Sequence, residues 1–316
     1  MAEDEGVARG TRESDTQPAQ TLATLFLRAM RKHDRAAVLL HRENSRWRET
    51  PDWRFERHVI RLALFFRDRA VLLPGERVAI VSSPRPELAV TELAAISQGA
   101  ACVVIDSALP AEQLSLAMAA VNPAAIVLDK AASAERIGSG HRLLVALDAK
   151  PRDGWVWTEA LDLGGTLDTP ERAQSFRARA REVPASAAAL GSIIARDGAV
   201  QCQFVDHVEA VRRVETLWAD RPAAKGDVIY VAGTATLGAR IALLAGVADG
   251  LTRCAIGTPG SEHSEIAELQ PKRVVVSEEV QREVRQAPPP ANQQQAAPWR
   301  ILDWLRGRRE VAQRKQ

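Results

Sequence analysis

"PGERVAIVSSPRPELAVTELAAISQGAACVVIDSALPAEQLSLAMAAVNPAAIVL", residues 74–128, decides the fold class. Pro74-Gly75 breaks the chain, and Val78 to Val81 then run apolar without interruption, as in a strand covered on both faces. Pro86 to Gln98 has helical spacing and Gly99 ends it; Ala101 to Ile105 is a second short apolar strand. Leu109 to Ala120 is again helical, and after Asn122-Pro123 the run Ala125 to Leu128 is a third strand. Strand, helix, strand, helix, strand is a βαβαβ unit, which requires a parallel sheet with helices on both faces.

Upstream of this unit, Leu22, Leu25, Phe26 and Ala29 form one helical stripe, and Val59, Leu62, Ala63 and Phe66 form another. Residues 1–19 show no hydrophobic periodicity and read as a disordered tail. Downstream, His141 to Leu147 offers a further strand, and residues 151–184, rich in charge, Gly and Pro, read as a connecting stretch. Leu190 to Ala195 starts a second α/β series. It continues with a helix over Val208 to Leu217, strands at Val228 to Ala232, Thr252 to Ile256 and Arg273 to Val276, and a helix near Arg240 to Val247. The expected organisation is an α/β domain over 20–286 with sub-lobes of about 20–182 and 183–286, a Pro/Gln-rich linker over 287–298 and a basic amphipathic helix over 299–316.

Lys and Arg number 42 against 40 Asp and Glu, for a net charge of +2, a balance that argues against a nucleic-acid surface. Cys102, Cys202 and Cys254 are far apart among apolar or small residues and read as reduced core thiols. No stretch reaches the roughly 18 consecutive apolar residues of a membrane span, and the polar N-terminus lacks signal-peptide character. The expected location is the cytoplasm. Peripheral membrane contact becomes available if Trp299, Trp304 and the arginines of residues 299–314 lie on anionic lipid rather than packing on the domain.

Motifs that carry chemistry are sparse. "GTATLGAR", Gly233 to Arg240, has the glycine spacing of a phosphate loop, but Ala239-Arg240 stands where Lys and Ser or Thr would be needed. The six histidines show no paired metal-ligand spacing, so no metal is expected. Asp206-His207 reads as the cap of the following helix, with a catalytic dyad as the alternative. Glu87 and Glu92 read as complements to a helix dipole. Trp155 and Trp157 share one side of an extended segment and read as packing, with a ligand wall as the alternative.

Three stretches together resemble the adenylate-forming synthetase superfamily, and within it the long-chain acyl-CoA synthetases. Residues 74–114 are similar to the family's Gly-Asp-Arg-Val-Ala-Ile strand, Asn-Arg-Pro-Glu helix start and Leu-Pro-Ala-Glu-Gln helix start. Residues 225–257 resemble the segment around a Pro-Leu-x-His-x-Phe-Gly core, with Gly233 near the expected proline and Thr236 where the family has its histidine. Residues 263–284 resemble the helix and strand that end in Val-Pro-Arg-Val, and residues 300–309 a Phe-Asp-Trp-Ala helix. The resemblance covers roughly residues 20–310 and implies a truncated, synthetase-type N-terminal domain.

The resemblance also implies where a phosphate loop belongs, in "SIIARDGAVQCQFVDH", residues 192–207. The family follows an Ile-Ile-Tyr strand with Thr-Ser-Gly-Thr-Thr-Gly, then Pro-Lys-Gly and a Thr-His helix start. Here Ile193 and Ile194 match the strand, Gly198 the first loop glycine and Asp206-His207 the helix start, but the loop is shorter and holds no lysine. Successive glycine N–H groups, hydroxyls and a cation grip a triphosphate; Asp197 instead brings a like charge. The expectation is a degenerate, inactive protein that binds no cofactor and acts on a protein partner or by self-association. The alternative is a residual acyl- or nucleotide-binding protein, or a weak acid-CoA ligase taking ATP and Mg through Arg196, Gly198 and His207.

Overall fold

The computed structural model describes residues 21–31, 35–137, 139–196, 199–219, 222–233 and 235–276. The tail over 1–19, the Pro/Gln-rich stretch and the basic segment over 299–316 lie outside the described residues.

Helix α1 (Leu22–Met30) opens with a capping box, in which Thr21 Oγ1 accepts from the Thr24 N–H and the Thr24 hydroxyl side answers the Thr21 N–H. A hairpin follows, β1 (Leu39–Glu43) and β2 (Arg46–Thr50). It turns on Asn44 and Ser45, whose φ values of 48° and 62° match the right-handed twist of the flanking strands. After α2 (Asp52–Phe65) and a π-turn over Phe66–Ala70 come β3 (Arg77–Val81), α3 (Pro86–Ile96), β4 (Ala101–Ile105), α4 (Ala111–Val121), β5 (Ala125–Leu128) and β6 (Leu143–Ala146). The strands expected at 101–105 and 125–128 stand at those bounds.

The stretch 151–184 is not a connector. It holds β7 (Trp155–Val156), α5 (Trp157–Leu167) and α6 (Pro170–Glu182). Thr169 caps α6 by accepting from the Arg172 N–H at 3.3 Å, Pro170 sits in the first turn where its missing N–H costs nothing, and Ala173, Phe176 and Ala180 form the buried stripe. Those signals are in the sequence, and the charge of the outer face masks them. Helix α5 hides for another reason: Gly164 and Gly165 look like a break, yet a Cβ on Gly164 would lie 2.2 Å from the Arg61 carbonyl oxygen. The glycine lets α5 pack directly on the backbone of α2.

Next come β8 (Ala188–Arg196), β9 (Ala199–Asp206), α7 (His207–Ala219), β10 (Val228–Val231), α8 (Leu237–Asp249), β11 (Arg253–Ile256), α9 (Glu262–Leu269) and β12 (Arg273–Val275). The strands form two sheets: seven in the order β7-β6-β5-β3-β4-β8-β9 and five in the order β12-β10-β11-β1-β2. Both are parallel except at one edge, where β9 and β2 run antiparallel. The expected α/β class with mostly parallel sheets therefore holds. The sheets do not divide at 182/183: β1 and β2 pair into the second sheet, and β8 and β9 extend the first through Cys102↔Leu190 and Val103↔Gly191.

Two helices lie between the sheets. Helix α3 packs on β3 and β4 of one sheet and β1 of the other, and α8 packs on β10 and β11 while reaching β8. Both are apolar all round, as a helix buried on every side must be. Leu88 to Ile96 and Ala239 to Val247 are buried without exception. Each run contains a single charge, Glu92 or Arg240, and the two meet as an ion pair with both side chains 1% exposed. Arg240 also donates to the carbonyls of Gly191 and, at 2.7 Å, Cys102. Glu92 is thus an interior partner rather than a dipole complement.

Candidate functional site

The segment where the resemblance places a phosphate loop is the β8–β9 hairpin. Its pairing runs from Ala188↔Asp206, through one bulge, to Ile194↔Gln201, Ala195↔Val200 and Arg196↔Ala199. Only Asp197 and Gly198 remain to join the strands, and these two lie outside the described residues. An Asp-Gly pair between apolar strands is the strongest short hairpin signal a sequence offers, so the closure was legible there. The backbone of Arg196 ends β8; its side chain also falls outside the description.

His207 is at the other end of β9, eight residues from Ala199, which at strand rise is about 25 Å away. His207 and the backbone of Arg196 thus stand at opposite ends of the hairpin, and Gly198 lies outside the described residues. His207 opens α7 fully buried, and its Nδ1 accepts from the Leu22 N–H at 3.2 Å, tying α7 to the start of α1. Burial lowers its pKa to about 4, against the raising effect of Asp206. Asp206 is the helix cap expected: its Oδ1 accepts from the Glu209 N–H at 2.8 Å. Glu209 is held by Arg212 and Arg213, and hydrogen bonds from both bring its carboxyl down to about 2. Asp206 caps and His207 packs, and among the described residues no hydrogen bond joins their side chains.

The loop after β10 behaves similarly. Gly233 takes φ 71°, and Thr236 caps α8 by accepting from the Ala239 N–H at 3.3 Å. Arg240, at the Ser/Thr position of "GTATLGAR", points into the interior and is spent on Glu92 and two carbonyls. The thiols are no better placed for chemistry. Cys102 and Cys254 are buried, and burial pushes the Cys254 thiol up to about 12 and that of Cys102 well above its ordinary range. Trp155 packs edge-on against Phe65, ring centroids 5.5 Å apart, and Trp157 is buried at the start of α5. Two surface cavities lie away from the hairpin: one of ≈ 390 Å³ beside the β1–β2 turn, another of ≈ 270 Å³ between α1 and α6.

The strand order, the edge hairpin and the parallel sheets have counterparts in known proteins. The sequence matches the AMP-binding enzyme family over residues 26–189. The chain belongs to that family. Solved structures share its fold at low identity. A luciferase-like enzyme from the mealworm Zophobas morio superposes with a TM-score of 0.68 at 13% identity, over 85% of this chain and 62% of that one. A putative long-chain-fatty-acid CoA ligase from Rhodopseudomonas palustris gives 0.67 at 13% identity, over 85% and 66%. A fatty acyl-adenylate ligase from L. pneumophila, in complex with acyl adenylate and pyrophosphate, gives 0.64 at 11% identity, over 81% and 44%. The chain thus spans roughly half to two thirds of each of these proteins. Among curated proteins, none matches this sequence. Among the described residues no helix is long and apolar enough to cross a membrane.

Proposed function

We propose that this AMP-binding family member does not carry out adenylation and acts through its surface, as a binding or regulatory partner of another protein. The observation that supports this is the register of β8 and β9. Their pairing reaches Arg196↔Ala199, so two residues occupy the place where the resemblance puts a loop of glycines, hydroxyls and a lysine. A triphosphate needs several consecutive N–H groups converging on it. The two residues left between the paired strands supply at most two, and one of them is an aspartate whose charge opposes phosphate. Arg240, the nearest cation in the second glycine-spaced stretch, is neutralised by Glu92 in the interior.

The test is ATP–pyrophosphate exchange with a panel of fatty acids, together with calorimetric titration of Mg-ATP and of a non-hydrolysable long-chain acyl-adenylate mimic. We expect no exchange and no saturable heat. Exchange above blank that disappears in Arg196→Ala would overturn the proposal in favour of a weak ligase using Arg196. Binding of the mimic tighter than roughly 10 µM, near 7 kcal/mol, would favour an acyl- or nucleotide-binding protein instead.

A further inference from the structure

Helices α1, α2 and α6 pack on one another and form a layer rich in arginine. With Arg31, the cap of α1, they carry nine arginines against four carboxylates, an excess larger than the net charge of +2 on the whole chain. Two of the carboxylates are already answered, Asp52 in the interior by Arg35 at 2.8 Å and Glu56 by Arg177 at 3.1 Å. Glu171 and Glu182 remain, both on α6.

Part of this excess lies at the ≈ 270 Å³ cleft between α1 and α6, which is lined by Leu27, Met30, Arg31, Glu56, Arg177 and Arg181. Arg28 stands one turn before Arg31 on α1. Arg28, Arg31 and Arg181 are exposed, and none of them has a hydrogen bond or ion pair among the described residues. The C-termini of α1 and α6 contribute only about half a negative charge each, less than three unanswered guanidiniums supply. Leu27 and Met30 give the cleft an apolar floor. Such a surface fits a peptide that brings several carboxylates to the guanidinium rim and a small apolar side chain to the floor.

The chain itself holds a peptide of that chemistry. Glu3-Asp4-Glu5 is the only run of three consecutive carboxylates in the sequence, and Gly6-Val7-Ala8 follows it. Glu5 precedes Thr21, the cap of α1, by 16 residues. A coil of that length has a root-mean-square span of about 20–24 Å, and α1 sets Arg31 about 15 Å from Thr21. The tether therefore supplies the carboxylates to the cleft at an effective concentration on the order of millimolar. Residues 299–316, at the other end of the chain, are basic and carry the wrong sign.

We propose that residues 3–8 dock in the α1–α6 cleft, with the carboxylates of Glu3, Asp4 and Glu5 on Arg28, Arg31 and Arg181 and with Val7 over Leu27 and Met30. The contact shares no residue with β8 or β9, so its test is independent of the adenylation question.

The experiment is paramagnetic relaxation measured by NMR on the full chain with a nitroxide at Ala2→Cys. The parent chain treated with the same reagent controls for Cys202, the half-buried thiol. At about 20 mM salt the label should broaden the amides of residues 27–31 and 177–181 at least about threefold more than at about 500 mM, where charge pairing is screened. Arg31→Glu with Arg181→Glu, both at exposed positions, should remove that excess. Adding Glu3→Arg, Asp4→Arg and Glu5→Arg to the same chain should bring it back. Broadening that ignores salt and the charge variants would mean that the segment merely passes the cleft on its tether, and would overturn the proposal. So would an excess transmitted from labelled to unlabelled copies, which assigns the cleft to a second chain, or reversed charges that fail to restore the effect.

Discussion

Val71 holds φ 46° and ψ 47°, the left-handed region that a β-branched side chain tolerates worst. Its carbonyl lies within reach of Arg142, which donates to Ala70 O at 2.9 Å and pairs with Glu76. The side chain is 60% exposed, so little burial offsets the strain. Val71→Gly should therefore raise stability by about 0.5–1 kcal/mol, the relief of strain exceeding the added freedom of the unfolded chain. A higher urea midpoint at unchanged slope is the expected reading; a lower midpoint would show that the site is not strained. His207 supplies the second prediction at this scale. Its folded pKa of about 4 lies below the ordinary 6.5, so the unfolded chain takes the proton first as pH falls. Stability is whole above pH 6.5 and declines toward pH 4, by up to about 3 kcal/mol from this group. His207→Gln, which keeps an acceptor for the Leu22 N–H, should flatten that part of the pH profile. The sequence carries the Asp206 cap openly, because caps are local. It conceals what His207 accepts from, since Leu22 is 185 residues away.

Elements were legible where pattern and surroundings agreed. The buried strands 101–105 and 125–128 read directly as apolar runs, because both faces of that sheet are covered. Helix α6 was obscured by its arginines, and α5 by a glycine pair whose purpose is tertiary. That purpose is testable. The nearest atoms to a Cβ on Gly164 are all Arg61 backbone, which cannot rotate aside. Gly164→Ala gains intrinsic helix propensity of nearly 1 kcal/mol, so a local account predicts stabilisation. Overpacking against a rigid helix costs about 1–3 kcal/mol, and we expect a net loss. Gly165→Ala, whose Cβ would meet only the movable end of the Arg61 side chain at 3.2 Å, should be markedly milder. Thermal midpoints of the two variants separate the explanations: equal shifts would mean that α5 is free to move off α2. The hairpin β8–β9 taught the converse. In the sequence its Asp197-Gly198 pair carries two signals at once, chemistry missing from a phosphate loop and a short link between apolar strands.

For the whole molecule, the exchange of strands between sheets was beyond local reading. Nothing in Leu39–Glu43 itself says that its partner is Arg253–Ile256 rather than the neighbouring βαβ unit. One long-range signal did exist: two apolar runs, 88–96 and 239–247, each broken by one charge, of opposite sign. Glu92 and Arg240 join the sheet of β4 and β8 to the helix that serves β10 and β11, so the pair sits where the two halves of the fold meet. Burial raises the Glu92 pKa against the pull of Arg240, which marks the cost of holding charge there. Removing one partner strands the other, so Arg240→Met or Glu92→Leu alone should cost about 3–5 kcal/mol. The double variant replaces a desolvated pair by apolar volume and should cost less than the sum, leaving mainly the orphaned carbonyls of Gly191 and Cys102, about 1–3 kcal/mol each. A double-mutant cycle by chemical denaturation measures this. Strong positive coupling means that the pair pins the sheets together as a single cooperative unit. Additive losses, or two separate unfolding transitions in the parent chain, would mean that the apolar contacts of α3 and α8 hold the halves together without it.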